Sequence, residues 1–430
     1  MWCTRSSPEC RRSGTAGRHH EGVIRRPRHA LWLLAAFAAL GACSSSPDSA
    51  SPVTTGAAPP TTEIVDLEEG DPLAFPGFDV DHVTIAPLPD LEPAVTEPPL
   101  TGWAAFDEEI RRSVLGGGSD AVSVAVAVDG GVVHEAAMGA RIPDTFEAID
   151  TEDRFRVASI SKTITAITVL QLVEEGLIGL DDPVGALVAA DVGVAPSAGA
   201  ADITVRQLLT HTSGFGQYED LFFRHQVESC EQAAAVGSSR GGGGGSFRYS
   251  NMNFCILGLL IEHVTGEPYE QVVYERLLTP LGISGMRLAP TSDPGPGEVE
   301  HRTVPGRNYM EVLGAAGAWV ANPTDLVTIL DSLDAETPGW KPLEPETVVA
   351  MKTGVNDPLA PDRGYGMGMI LYGGGAAGHT GTVESTHAMM LDRADNITWA
   401  ITVSGENPSE SVRLAAIVDR ALAAGGFIPG

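Results

Sequence analysis

The spacing of apolar residues predicts a folded region that begins near residue 102, with helices in its middle and strands near both ends. In several segments apolar positions recur every three to four residues, which is the period of an amphipathic helix. The predicted helices span residues 102–115, 160–175, 205–210, 253–264 and 409–424. Gly176 and Gly266 come just after two of them, as is typical of helix C-termini.

Alternating and β-branched residues predict strands on either side of this helical middle. Valine-rich runs at 122–128 and 132–139 flank the turn-forming sequence Asp-Gly-Gly at 129–131, so they predict a hairpin. Residues 366–404 alternate in polarity and predict two or three more strands. The pattern therefore predicts an α/β fold, in which both ends of the region form one sheet around an inserted, mostly helical segment.

The first 42 residues have the pattern of an export signal. Seven arginines precede residue 30, an apolar run covers 30–40, and the sequence Leu-Gly-Ala-Cys ends at Cys43. A basic segment, a short apolar run and small residues before a cleavage site are typical of a signal peptide. The four residues 40–43 resemble a bacterial lipobox, which predicts removal of residues 1–42 and lipidation of Cys43. The alternative is a buried helix with a free Cys43 thiol.

The next segment predicts a tether and not a second domain. Residues 44–99 contain no Lys or Arg and are rich in Pro, Thr, Ser and acidic residues. Pro-rich segments that carry like charges stay extended. We therefore expect a disordered tether over 43–99 and one folded domain over 100–430.

The charge balance excludes one class of function. The chain has 27 Lys and Arg against 56 Asp and Glu, a net charge of −29, whereas nucleic-acid binding needs clustered basic residues. The same charge would repel anionic lipids, so we expect membrane contact through the lipid on Cys43 alone. His263, His301 and His387 lack metal-ligand spacing with cysteines or acids, so we expect no metal and no cofactor.

Candidate chemistry begins at the start of the helix predicted over 160–175. Ser159 and Lys162 are three positions apart, so on a helix their side chains face the same way. A serine hydroxyl becomes a good nucleophile when a neighbouring base removes its proton. A lysine can be that base when apolar surroundings keep it neutral. Taken alone, the pair also fits an N-cap serine beside a surface lysine.

Two further motifs offer polar groups to the same chemistry. Tyr249 and Asn251 precede the helix predicted over 253–264. A tyrosine can accept a proton when cations lower its pKa, and an asparagine can bind both a lysine and a substrate amide. Taken alone, they fit an aromatic anchor beside an N-cap asparagine.

The third motif, residues 378–382, reads Gly-His-Thr-Gly-Thr and falls among the C-terminal strands. A glycine within a strand permits close approach of a ligand, and a strand edge can offer an N–H group to an oxyanion. The alternative is a plain turn.

The order of the three motifs, Ser-x-x-Lys, Tyr-x-Asn and His-Thr-Gly, resembles that of the serine β-lactamase and penicillin-binding protein superfamily, in its class C β-lactamase, DD-peptidase and esterase branch. The segment 205–215, which reads Val-Arg-Gln-Leu-Leu-Thr-His-Thr-Ser-Gly-Phe, also resembles that branch. The resemblance runs from about residue 103 to the C-terminus. It implies an antiparallel β-sheet flanked by helices, with a mostly helical domain inserted above the site. We interpret His211 in this segment as structural.

The resemblance also implies a role for each motif residue. Ser159 corresponds to the nucleophile that becomes acylated, and Lys162 to its proton-handling partner. Tyr249 corresponds to a second acid/base, and Asn251 to the residue that orients Lys162 and the substrate amide.

On the strand, His379, Thr380 and Gly381 correspond to the substrate-binding motif, and the backbone N–H groups of Ser159 and Thr382 to the oxyanion hole. Class C β-lactamases usually carry lysine where His379 stands, and a histidine is mostly neutral at pH 7. The histidine form is more typical of the DD-peptidases and esterases of this branch.

Two cysteines remain in the predicted domain, Cys230 and Cys255. In an exported protein an even pair predicts a disulfide. The alternative is a pair of buried free thiols.

The sequence therefore predicts an extracytoplasmic, lipid-anchored, monomeric serine hydrolase that works through an acyl-enzyme. The resemblance implies a D-amino-acid peptide, amide or ester as substrate, with peptidoglycan as one candidate. A class C-like β-lactamase is one alternative, and a non-catalytic module that binds the cell wall is another.

Overall fold

The computed structural model describes residues 100–356 and 363–429. The predicted signal peptide, the lipidation site at Cys43 and the tether lie outside the described residues. In the described part of the chain, no helix combines the length and the apolar character needed to cross a membrane.

The two ends of the described region form one antiparallel sheet, which confirms the predicted fold class. The predicted hairpin forms β1 (Ala121–Val128) and β2 (Gly131–Gly139), and β1 pairs over its whole length with β11 (Ile397–Ser404). The other described strands of this sheet are β6 (Val355–Asn356), β7 (Arg363–Tyr365), β8 (Ile370–Tyr372), β9 (Ala377–Val383) and β10 (Thr386–Asp392). Their spatial order is β2-β1-β11-β10-β9-β8-β7-β6.

The first and last helices cover one face of the sheet. These are α1 (Gly102–Val114) and α13 (Arg413–Gly425), which pack against each other. Successive side chains of a strand point to opposite faces, and here the bulky ones face these two helices. The buried cluster between helices and sheet includes Phe106, Ile110, Val122, Val124, Val126, Trp399, Ile401, Val403, Leu414 and Val418.

The inserted helices pack on the other face, where the strands present small residues such as Ala125, Ala127 and Ala400. The helices are α2 (Ser161–Glu174), α3 (Gly185–Asp191), α4 (Ala198–Ala201), α5 (Val205–Leu209), α6 (Glu219–Phe223), α7 (Cys230–Arg240), α8 (Asn251–Thr265), α9 (Tyr269–Val273), α10 (Tyr309–Leu313), α11 (Pro323–Asp331) and α12 (Pro345–Met351). Helix α2 is buried on all sides over its first twelve residues, so it is the central element of this region.

A second, small sheet positions the start of α2. It consists of β3 (Phe155–Arg156), β4 (Arg287–Leu288) and β5 (Trp319–Ala321), in the order β3-β5-β4. The Val157 N–H group donates to the Trp319 carbonyl at 3.1 Å. The chain then forms a single 3-10 turn over 158–160 and enters α2.

Three predictions differ from the structure by more than a one-residue shift at the end of an element. Helix α8 begins at Asn251 and not at 253, because Ser250 is the N-cap and accepts a hydrogen bond from the Met252 N–H group. The segment 366–404 contains four strands, β8 to β11, since a short strand precedes the long ones. The last helix begins at Arg413, four residues after the predicted start.

The predicted disulfide is present between Cys230 and Cys255, with an S–S distance of 2.08 Å. Cys230 is the first residue of α7, and Cys255 lies in the second turn of α8. The covalent bond therefore ties the N-terminal part of α8, where Asn251 lies, to the neighbouring helix.

Candidate active site

A cleft of about 620 Å³ lies where β9 passes the starts of α2 and α8. Its lining includes six of the predicted site residues: Ser159, Tyr249, Asn251, His379, Thr380 and Thr382. Its apolar walls include Phe223, Phe247, Leu313, Ile370 and Val383. The charged residues in the described part of its lining are Glu219, Arg248 and Arg363. The structure thus brings together residues that are up to about half the chain apart in sequence.

Ser159 occupies a tight turn between β3 and α2. Ala158 has a φ of +46°, in the left-handed region that residues with a side chain rarely adopt. Ala158 and Ile160 are fully buried, whereas Ser159 is half-buried and lines the cleft. The turn therefore presents the Ser159 side chain to the cleft.

Strand β9 can approach this turn because residue 381 has no side chain. A Cβ atom on Gly381 would lie 2.1 Å from the Val157 carbonyl oxygen and 3.2 Å from the Ala158 Cβ. From the sequence, a glycine in this motif is expected to permit the approach of a ligand. The structure corrects that reason for Gly381, because its close neighbour is the protein's own backbone.

The Lys162 amine is fully buried directly behind Ser159. Its Nζ atom lies 2.9 Å from Ser159 Oγ, 2.8 Å from Asn251 Oδ1 and 2.7 Å from the Ala316 carbonyl oxygen. The Ala316 carbonyl belongs to a 3-10 turn over 314–316, which Thr165 holds by donating to the Ala315 carbonyl at 2.7 Å. The amine therefore has one hydroxyl neighbour and two neighbours that accept hydrogen bonds.

This set of partners suits a neutral amine. A neutral lysine has two N–H donors and one lone pair, and the carbonyl oxygens of Asn251 and Ala316 can only accept. When these two take the N–H groups, the lone pair remains for the Ser159 hydroxyl. The arrangement allows Ser159 to donate its proton to Lys162.

The surroundings of Lys162 favour this neutral state. Burial alone lowers the pKa of Lys162 well below its ordinary value, because an ammonium group loses its hydration there. The Nζ atom lies 5.0 Å from the ring centroid of Tyr249 and 5.8 Å from that of Phe254. Ring faces attract an ammonium ion by about 0.5–2 kcal/mol, which is less than the several kcal/mol that its burial costs. The apolar sequence around Lys162 predicts a buried amine, and the structure shows Lys162 fully buried.

Tyr249 contacts the same hydroxyl group from the cleft side. Burial raises the pKa of Tyr249, and the hydrogen bond between Tyr249 and Ser159 offsets only part of that effect. The direction is opposite to the lowered pKa that a proton-accepting phenolate needs. In the resting site Tyr249 is therefore a protonated phenol beside Ser159.

His379 is buried and held by the protein itself. Its Nε2 atom lies 3.0 Å from the Tyr365 hydroxyl and its Nδ1 atom 2.6 Å from the Thr380 carbonyl. Burial, with a smaller contribution from the nearby charge of Arg363, lowers the pKa of His379 to about 3. The imidazole is therefore neutral at pH 7, so Nδ1 donates to the carbonyl and Nε2 accepts from the tyrosine.

Sequence analysis missed two groups that hold the site together. The Ala316 carbonyl is a backbone group, so no residue type could indicate it. Tyr365, on β7, binds His379 and lies 4.7 Å, between ring centroids, from His211.

No group of three or more His, Cys, Asp and Glu side chains in the described residues is arranged to hold a metal ion.

Comparison with known proteins gives one family over most of the domain. The family described as Beta-lactamase matches residues 106–424. Penicillin-binding protein 4 of Amycolatopsis lactamdurans is 34% identical over 169 residues, which cover 37% of this chain and 42% of that protein. The D-alanyl-D-alanine-carboxypeptidase/endopeptidase AmpH of Escherichia coli K12 is 24% identical over 220 residues, which cover 49% of this chain and 57% of that protein.

The chain thus spans about half the length of the curated relatives it matches. Among solved structures, the D-stereospecific amidohydrolase from a Streptomyces species is similar, with 26% identity and a TM-score of 0.57. That match covers 72% of this chain and 97% of the amidohydrolase chain.

The first prediction concerns the acceptor at residue 251. In Asn251→Asp, a carboxylate 2.8 Å from Nζ stabilises the ammonium form of Lys162, which has no lone pair for Ser159. We expect the acylation rate to fall by about 10²- to 10⁴-fold, the usual contribution of a general base. We expect it to recover as the pH rises, and Asn251→Ala to lose less. Stopped-flow acylation measures both, and an Asp variant as fast as the wild type would contradict the neutral-amine interpretation.

The second prediction concerns stability and pH in Lys162→Met. Because the pKa of Lys162 is lower in the folded state than its unfolded value of about 10.4, the unfolded chain binds more protons between the two values. The wild type should therefore gain stability relative to Lys162→Met as pH rises, by up to about 1.4 kcal/mol per pH unit. Urea unfolding across pH measures the difference, with Lys352→Met, which removes a partly exposed ion pair, as control. A difference that does not change with pH would contradict the prediction.

Proposed function

The chain belongs to the β-lactamase family, and on that premise we propose that it is a serine hydrolase that works through an acyl-enzyme. The observation that carries the proposal is the environment of Lys162. A buried amine has two acceptors for its N–H groups and one nucleophilic hydroxyl at 2.9 Å. Nucleophile and base within hydrogen-bond reach, with the base oriented by further groups, is the general requirement for an activated serine.

In acylation, Ser159 Oγ attacks the substrate carbonyl carbon as its proton passes to Lys162. The developing oxyanion takes hydrogen bonds from the N–H groups of Ser159 and Thr382, and removal of one such donor typically costs about 10²–10³ in rate. Tyr249, a protonated phenol, then gives its proton to the leaving amine or alcohol, and Lys162 restores the proton to Tyr249. A water molecule then attacks the carbonyl carbon of the acyl-enzyme, and the same proton transfers in the opposite direction release the acyl group and restore the Ser159 hydroxyl.

The substrate class that we propose is a D-amino-acid peptide, amide or ester. The names of two similar proteins refer to D-alanyl-D-alanine cleavage and to D-stereospecific amide hydrolysis, which supports this class here. The apolar walls of the cleft suit the apolar side chains of such a substrate. A dedicated class C β-lactamase would bind its substrate carboxylate through a fixed cation at position 379, whereas the His379 imidazole is neutral.

We also propose that the enzyme works outside the cytoplasm, anchored by a lipid on Cys43. The Cys230–Cys255 disulfide supports an oxidising compartment. The anchor itself rests on the sequence at 40–43 alone.

The third prediction tests the nucleophile by covalent labelling. The intact mass of the protein is measured before and after incubation with a penicillin and, separately, with a fluorophosphonate. We expect a single adduct that is lost in Ser159→Ala and kept in Ser161→Ala, a matched control whose side chain is buried beside the site and accepts from the Trp319 N–H group. Unchanged labelling of Ser159→Ala would overturn the proposed nucleophile.

The pattern of adducts also separates the alternatives. A penicillin adduct that lasts for hours indicates a DD-peptidase, whereas penicillin that is consumed without a lasting adduct indicates a β-lactamase. A fluorophosphonate adduct alone indicates an esterase or amidase. No adduct with either reagent would favour a non-catalytic binding module.

A further inference from the structure

His211 lies at the back of the site, in a position that the proposed reaction does not use. It follows α5 and is fully buried, with a φ of +57° in the left-handed region. A residue with a side chain persists in that region only where its surroundings hold it there. The rings of Phe247, Tyr249, Phe254 and Tyr365 surround the imidazole, with centroid distances of 4.3 to 6.0 Å.

His211 binds the chain on both sides of Tyr249. The Arg248 N–H group donates to the His211 carbonyl at 2.8 Å, and the Ser250 N–H group donates to His211 Nδ1 at 3.2 Å. Between these two bonds, the Tyr249 ring packs on the imidazole with 4.3 Å between centroids. His211 therefore holds both neighbours of Tyr249 in the chain, Arg248 and Ser250, and also contacts the Tyr249 ring.

The state of the imidazole follows from these partners. A backbone N–H group can only donate, so Nδ1 carries no proton and the proton of the neutral ring is on Nε2. The Asn253 side chain, held by a 2.6 Å bond from Ser213 Oγ to its Oδ1 atom, places its Nδ2 atom 2.7 Å from the same Nδ1. Burial lowers the pKa of His211 well below its ordinary value, so Nδ1 remains an acceptor at neutral pH.

The second ring nitrogen argues against a simple core histidine. His211 Nε2 is buried and has no hydrogen-bond partner among the described residues. A buried N–H group without a partner is costly, and a purely apolar side chain would avoid that cost. The feature of His211 that an apolar side chain could not replace is the hydrogen-bond acceptor at Nδ1.

We propose that His211 is the positioning residue that fixes the Tyr249 phenol against Ser159, by accepting the Ser250 N–H group and packing on the tyrosine ring. The inference rests on the proposed function, since Tyr249 transfers protons only in that reaction. His211 acts through Tyr249 and does not touch the substrate, since it is absent from the cleft lining.

The fourth prediction separates the acceptor from the ring. His211→Phe keeps an aromatic ring and removes the acceptor, while His211→Asn tolerates the left-handed backbone and offers a carbonyl oxygen to Ser250. In the full-length protein we expect His211→Phe to lower the acylation rate by about 10²-fold, the usual cost of a misplaced catalytic group, with KM little changed. We expect His211→Asn to restore most of the lost rate. Equal losses in both variants would overturn the acceptor role.

A double-mutant cycle shows whether the effect passes through Tyr249. Once Tyr249→Phe has removed the phenol, adding His211→Phe should cost little further rate. Independent, multiplying losses would overturn the inference. Ile401→Ala, a core change on the opposite face of the sheet, is the stability control and should leave the acylation rate unchanged.

Other outcomes are also decisive. If His211→Phe does not fold, Asn253→Ser removes the side chain that orients the imidazole and should show the same loss and the same dependence on Tyr249. A His211→Phe variant that acylates like the wild type, while Ser159→Ala takes no label, overturns this inference alone. Labelling of Ser159→Ala overturns the proposed function itself.

Discussion

The site depends on one constraint, which is that a lysine amine is buried and no described residue places an opposite charge beside it to stabilise its protonated form. Burial makes the ammonium form of Lys162 unfavourable, and two carbonyl acceptors fix the direction of its lone pair. The contacts of Lys162 with Ser159, Asn251 and the Ala316 carbonyl keep this amine neutral and aligned with the nucleophile. A carboxylate or a water channel beside it would remove the base.

The fold meets this constraint by joining four separate segments at one point. The small sheet directs the strained turn at Ala158 so that Ser159 enters the cleft, and the N-cap Ser250 makes Asn251 the first residue of α8. The turn at 314–316 adds its carbonyl, and β9 closes the cleft because Gly381 allows it to approach the turn before Ser159. The disulfide and His211 fix α8 and the segment before it, so the positions of Asn251 and Tyr249 are set by the protein and not by the substrate.

Sequence reasoning could predict those parts of the site that have a residue-type signature. The order and spacing of three motifs indicate Ser159, Lys162, Tyr249, Asn251 and the 378–382 segment. The periodicity of apolar residues predicts the hairpin and the long helices. A backbone acceptor such as the Ala316 carbonyl has no such signature. The raised pKa of Tyr249 and the internal bonds of His379 depend on burial, which only the packed structure supplies.

The most direct test of the central claim is the titration of Lys162 by NMR. The chain contains only three lysines, Lys162, Lys341 and Lys352, so isotope-labelled lysine gives a spectrum of three side-chain signals that can each be assigned by substitution. The account predicts that the signal lost in Lys162→Met is that of a neutral amine at pH 7 and titrates well below the usual value of about 10.4. Three signals that all titrate near that value would show that Lys162 is an ammonium ion, and the proposed role of Lys162 as the base for Ser159 would be wrong.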